Sequence, residues 1–281
     1  MDLAIFAAVL FAAACHAGWN AVIKIGLDPL PATTLITSGA ALIALVLLPV
    51  SGLPPGGAWP WVIASVVIHL FYFIGLTEAY RTGDLGQVYP LARGAAPLMT
   101  ALATAFFIGE RVTIAGWAGI VLLVCGVVLL SARGGRQLAK VDRRALGFAL
   151  FTAVTICAYT VVDGIGARVA ANPHAYTLAM FVGNGVAMLA YALVRRGPSL
   201  WSPMRPYWAT GMAGGALQLL SYGIAIWAMT LAPIALVAAL RETSVLFGAA
   251  IAVMFLKEPV RPARLVAALL ILVGLLFLRL G

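Results

Sequence analysis

Apolar residues run along this chain in long stretches, cut by short polar or turn-forming segments and without strict alternation. A helix needs about 20 apolar residues to cross a bilayer, whereas a barrel strand needs about 10 with period two. The stretches have the helical length. They fall near 3–24, 31–50, 60–81, 87–108, 114–132, 145–166, 174–194, 207–230, 234–256 and 262–280. Between them stand recognisable breakers: Asp28-Pro29, Pro54-Pro55-Gly56-Gly57, Gly83-Asp84, Gly197-Pro198 and Lys257-Glu258-Pro259. The pattern predicts an all-α membrane protein with ten transmembrane helices.

Composition sharpens this. Of 281 residues, 63% are hydrophobic and 10% charged, against about 45–50% and 25% in a soluble domain. No soluble core of this length hides so much apolar surface, so secreted disulfide scaffolds, disordered tails and ordinary cytosolic enzymes are excluded. The net charge of +9 reads as membrane orientation rather than affinity for nucleic acid. Thirteen Lys and Arg lie on the connections 1–2, 3–4, 5–6, 7–8 and 9–10, and three (Arg111, Arg168, Arg279) on the other side. Basic loops stay in the cytoplasm, which predicts both termini on the non-cytoplasmic side. Met1-Asp2-Leu3 has no basic n-region, so no cleaved signal peptide is expected. The expected location is the bacterial inner (plasma) membrane, multi-pass and in contact with lipid. Cys15, Cys125 and Cys157 lie inside apolar runs and read as small hydrophobes. No Cys or His spacing suggests a metal, and no cofactor or nucleotide-binding loop is expected.

The chain also repeats itself. Residues 75–132 shifted by 148 onto 223–280 give twelve ungapped identities, among them Gly75/Gly223, Arg93/Arg241, Glu110/Glu258, Val112/Val260 and Gly126/Gly274. Five spans is an odd number, so a second half of five enters from the opposite side. The expected domains are a first five-helix repeat (1–132), a basic cytoplasmic linker (133–144) and a second repeat (145–281), inverted and built around a central cavity. Inverted repeats are a common carrier plan, with the site near the midplane. Two fused halves predict a monomer.

Four features carry a family resemblance: the ten spans in two halves; Gly18-Trp19-Asn20-(x)3-Lys24 ending span one; Val88-Tyr89-Pro90 opening span four; and the hinges Gly109-Glu110 and Lys257-Glu258. On these the chain resembles, along its whole length, EamA-type members of the drug/metabolite transporter superfamily. The resemblance implies a carrier of small metabolites with a cavity lined by spans 1, 3, 4, 6, 8 and 9. Its substrates range from amino acids to sugars, nucleotides and drugs. The four-span multidrug relatives carry a Glu in span one; here that span has no carboxylate beyond Asp2.

An ionisable group at membrane depth costs about 2.5–3.5 kcal/mol on insertion scales and asks for a reason. His16 and Asn20 share a stripe with Lys24 in span one, beside Trp19. Ser65, His69 and Tyr72 share a face in span three; Tyr89, Arg93 and Thr100 in span four; Tyr159 and Asp163 in span six. Span eight offers Gln218, Ser221, Tyr222 and Trp227; span nine offers Arg241, Ser244 and Gly248. Each has a plainer reading: a His can be interhelical glue, Tyr and Trp an interfacial belt, and Asp163 the ion partner of Arg241 or Lys24. Arg93 and Arg241, equivalent in the repeat, suggest paired clamps for a carboxylate or similar oxyanion. Otherwise each is tied to helix carbonyls or to Glu242. The substrate-binding set expected is therefore His16, Trp19, Asn20, His69, Tyr72, Tyr89, Arg93, Tyr159, Asp163, Gln218, Tyr222, Trp227 and Arg241, for an amino-acid-like or organic-anion substrate. Alternatives are an efflux pump for lipophilic cations, an intramembrane enzyme and a passive channel. For an enzyme, an aspartyl dyad or a His-Glu-x-x-His motif is wanting.

Overall fold

The computed structural model describes the backbone of residues 1–23, 26–82, 85–131, 143–256 and 262–280, and side chains there except at 23, 78–82, 85–92, 131, 143–146, 148, 149, 252, 255 and 256. Lys24, the side chain of Tyr89, the hinge Lys257-Glu258 and most of the basic linker lie outside the described residues. The helices are α1 (Leu3–Ile23), α2 (Pro29–Ser51), α3 (Trp59–Thr82), α4 (Leu85–Ala103), α5 (Ile114–Ser131), α6 (Arg143–Val169), α7 (Pro173–Arg196), the single turn α8 (Trp201–Met204), α9 (Trp208–Leu231), α10 (Ile234–Arg241), α11 (Ser244–Leu256) and α12 (Pro262–Leu280). No strand occurs among the described residues.

Local chemistry sets the ends. Pro29 and Pro173 open α2 and α7, where a missing N–H costs nothing. Asn172 caps α7, its Oδ1 accepting from the amides of His174 and Ala175 at 3.1 and 3.2 Å. The end of α4 widens into a π-helical turn, Thr104–Ile108, which stops at Gly109 with φ of 73°. That left-handed residue lets the amide of Glu110 reach back to the carbonyl of Thr104 at 3.1 Å.

The expected span 234–256 is not one helix. It breaks at Glu242-Thr243, where the amides of Glu242, Thr243 and Val245 turn to carbonyls three residues back. The Thr243 hydroxyl donates to the carbonyl of Leu240 at 2.7 Å, closing the break.

Outward faces carry Val46, Phe106, Phe107, Val194 and Leu280, all exposed. The interior holds His16, His69, Arg93, Asp163, Arg241 and Glu242. This inversion fits a lipid surrounding. Seven helical stretches among the described residues are long and apolar enough to cross a membrane, the one at Pro173–Leu231 taking in both α7 and α9. Shorter apolar helical stretches occupy Arg93–Ile108 and Ile114–Leu130.

The packing comes in matched pairs. α1 lies on α9 as α6 lies on α3; α2 lies on α9 as α7 lies on α3; α1 meets α10 and α11 as α6 meets α4. α5 packs on α12, and α2 on α7. At the α5–α12 contact a Cβ on Gly119 would stand 2.7 Å from the amide of Leu278 and 2.9 Å from the carbonyl of Gly274. Such backbone approach is how helices associate where lipid supplies no hydrophobic drive.

Candidate functional site

A cavity of about 40 Å³ lies where α1, α3, α6, α7, α9 and α10 converge. Its aromatic wall is a ring cluster. His69 stacks on Tyr159 at 4.3 Å, Tyr222 meets both edge-on at 5.6 and 5.7 Å, and Tyr72 meets Tyr159 edge-on at 5.6 Å. Phe73 and Phe181 complete it.

Both histidines are bonded through Nδ1. Nδ1 of His16 accepts the indole N–H of Trp19 at 3.3 Å, which in the neutral ring leaves the proton on Nε2. Nδ1 of His69 lies 3.0 Å from the carbonyl of Ser65. The same Nδ1 lies 3.1 Å from the Ser65 hydroxyl, which can donate to it or accept from it, so the carbonyl bond belongs to the tautomer with the proton on Nδ1 and the hydroxyl serves either tautomer.

Asp163 is 0% exposed. It takes hydroxyl bonds from Tyr176 on Oδ1 at 2.8 Å and from Tyr222 on Oδ2 at 2.5 Å. The expected ion pair to Arg241 is replaced by these two donors. Arg241 instead sets its guanidinium carbon 4.6 Å from the centroid of the Tyr222 ring. It is 8% exposed and lines the cavity, and its Nε has no hydrogen-bond partner among the described residues.

Arg93 differs from its repeat counterpart. Its Nε lies 3.0 Å from Oε2 of Glu242 and its Nη2 donates to the hydroxyl of Ser244 at 2.8 Å. Both charged side chains are 5% exposed. This pair ties α4 to the α10–α11 break. Two equivalent arginine clamps were expected; the structure engages one and leaves the other facing the cavity.

Of the remaining expected residues, His16, Trp19, His69, Tyr72, Tyr159, Gln218 and Tyr222 line the cavity. Asn20 donates from Nδ2 to the carbonyl of His16 at 2.8 Å, bracing α1 rather than facing the cavity. Asp163 sits behind Tyr222. Trp227 lies on a separate apolar groove between α2, α7 and α9. Span four lines nothing with its described side chains, whereas α7, which was not expected, contributes Phe181 and Asn184. The amide oxygens of Asn184 and Gln218 are buried without a hydrogen-bond partner. Asn184 could have been found as a lone amide within an apolar run; Phe73 and Phe181 carry no such signal. Tyr176 was missed because a tyrosine near a span end reads as belt.

Comparison with known proteins places this arrangement. The profile of the EamA-like transporter family matches residues 3–132 and again 143–280. The chain belongs to the EamA-like transporter family. A solved crystal structure aligns over 98% of this chain and 95% of that chain, with TM-score 0.79 and 19% identity, a likeness of fold. A search of curated proteins finds no match. This EamA-like chain is thus a multi-pass membrane protein of a transporter family whose members are not enzymes. Gly109-Glu110, one of the motifs that carry the resemblance, stands where the left-handed glycine ends the π turn.

Proposed function

We propose that the chain is a secondary carrier of a small polar metabolite, amino-acid-like or an organic anion, working by alternating access at the central cavity. Two five-helix halves of opposite orientation would form it, in the bacterial inner membrane and as a monomer. Three matched sets of helix contacts support the inverted plan: α1 on α9 with α6 on α3, α2 on α9 with α7 on α3, and α1 on α10 and α11 with α6 on α4.

One observation carries the substrate reading: Arg241 is buried, lines the cavity and pairs with no carboxylate among the described residues. The neighbouring Glu242 is in contact with Arg93 instead, so an incoming carboxylate would give the buried Arg241 guanidinium a direct partner in bidentate geometry. The Nε2–H of His16 adds a second donor. The acceptors Gln218 Oε1 and Asn184 Oδ1 suit the N–H groups of an amino-acid-like ligand. Arg93, engaged by Glu242 and Ser244, positions the break from which Arg241 projects.

The test is a thermal-shift panel of amino acids and organic acids on purified protein, followed by Arg241→Lys with the best binder. Lysine keeps the charge and loses the paired donors. Binding should weaken at least tenfold, about 1.4 kcal/mol, with insertion unchanged. Unaltered binding in both Arg241→Lys and Arg241→Gln would remove the anion site. The aromatic wall also favours a second reading, efflux of lipophilic cations. Tetraphenylphosphonium in the same panel, binding while every acid fails, would select it.

A further inference from the structure

On one face of the molecule, α4, α6 and α9 end and α10 begins. Arg168, at the end of α6, donates from Nε to the carbonyl of Met229 at 3.0 Å and from Nη2 to that of Ala232 at 3.3 Å. The same Nη2 reaches Oε1 of Glu110 at 2.7 Å. Glu110 in turn accepts the amide of Ile234 on both oxygens, at 3.1 and 2.9 Å. One carboxylate and one guanidinium thus join the ends of four helices from both halves. A carboxylate at the first amide of α10 also meets the positive end of that helix.

α10 is a short rod with a different load at each end. Its first amide is held by Glu110. Its last residue is Arg241, and the next, Glu242, pairs with Arg93. The eight residues of α10 put these ends roughly 10 Å apart at 1.5 Å per residue. The break at Glu242-Thr243 separates α10 from α11, so α10 is a distinct element rather than part of one continuous span.

We propose that Glu110 and Arg168 form the latch that closes the central cavity on this face, and that α10 links the latch to Arg241. The inference rests on the carrier reading and adds where closure happens and what it is coupled to. With the latch made, Met229, Ala232 and Ile234 are pinned to α6 and to the end of α4, and the cavity is shut from that side. An anion drawing Arg241 inward pulls on the far end of α10 and loads the latch. Parting Glu110 from Arg168 releases the α9–α10 corner. The charge count puts this face outside the cell.

The test needs no substrate. In a background with Cys15, Cys125 and Cys157 replaced by alanine, Ser221→Cys places one thiol at the cavity. Its alkylation by a membrane-impermeant maleimide is timed from each face, in right-side-out and inside-out vesicles. Glu110→Gln should speed labelling from the latch face at least tenfold and leave the other face unchanged or slower. Arg168→Lys, which keeps charge but loses the multiple bonds, should fall between. Asp28→Asn, which breaks the exposed Arg196 pair elsewhere, should not open the latch face. Unchanged rates in both latch variants, with normal elution on size exclusion, would reduce the cluster to a staple and overturn the proposal while leaving the carrier reading standing. Equal labelling from both faces in the parent would mark an open pore and remove the carrier reading as well.

Discussion

The buried carboxylate of Asp163 depends on hydroxyl donors, Tyr176 and Tyr222, because no cation pairs with it among the described residues. A hydrogen bond to a charged group contributes about 1.5–3 kcal/mol. Tyr176→Phe should therefore lower unfolding stability in detergent by about that amount, measured by thermal or denaturant melts; a change inside the error would mean the hydroxyls do not hold the carboxylate. The Arg93–Glu242 pair makes a second prediction. Removing one member of a buried pair strands the other, at about 3–5 kcal/mol, while an apolar pair of similar volume is often neutral. Glu242→Leu should destabilise by about that much, and Arg93→Met with Glu242→Leu should recover most of it. Additive losses in the double variant would overturn this. Much of the cavity could be read beforehand because polar side chains in apolar stretches stand out: His16, His69, Gln218 and Arg241 were all visible. The inequality of Arg93 and Arg241 was not. Consecutive helical residues point about 100° apart, so Glu242 faces α4 when Arg241 faces the cavity. Which of two equivalent arginines then receives it is a tertiary fact.

At the level of elements, hydropathy placed the outer bounds of the long apolar helical stretches to within a few residues because length and apolarity are what a bilayer demands. It could not show the π turn at Thr104–Ile108 or the break at Glu242-Thr243. Both are shifts of hydrogen-bond register inside an apolar run, and the residues after the break, Ser244–Leu256, are as apolar as any span. The repeat identities did carry packing information. Gly126 and Gly274 both sit on the α5–α12 contact, where a Cβ would meet backbone at 2.9 Å in each case. Backbone cannot yield as a side chain does, so Gly119→Ala should part these helices and cut the folded, monodisperse yield on size exclusion. Gly147→Ala, which would meet nothing within 4 Å, should be neutral or stabilising by up to about 1 kcal/mol. Equal behaviour of the two variants would mean the α5–α12 approach is not a constraint.

For the whole molecule, thirteen cations against three across alternating connections set the orientation expected of the chain. Reporter fusions at Gly281 and near Gln137 should report opposite compartments, the second cytoplasmic; an external signal near Gln137 would reverse the orientation. Assembly follows from the same fused plan. The family profile matches twice within one chain, at 3–132 and 143–280. The contacts α5–α12, α2–α7, α1–α9 and α4–α6 all join one match to the other. The described residues that line the cavity come from both matches, His16 from the first and Arg241 from the second. The outward faces carry apolar side chains, as lipid requires. The protein should therefore bind its substrate as a monomer, with a protein mass near 29.3 kDa by light scattering after subtracting detergent. Binding confined to a dimer fraction would contradict this, and would mean that the internal pairing of the two halves does not complete the carrier.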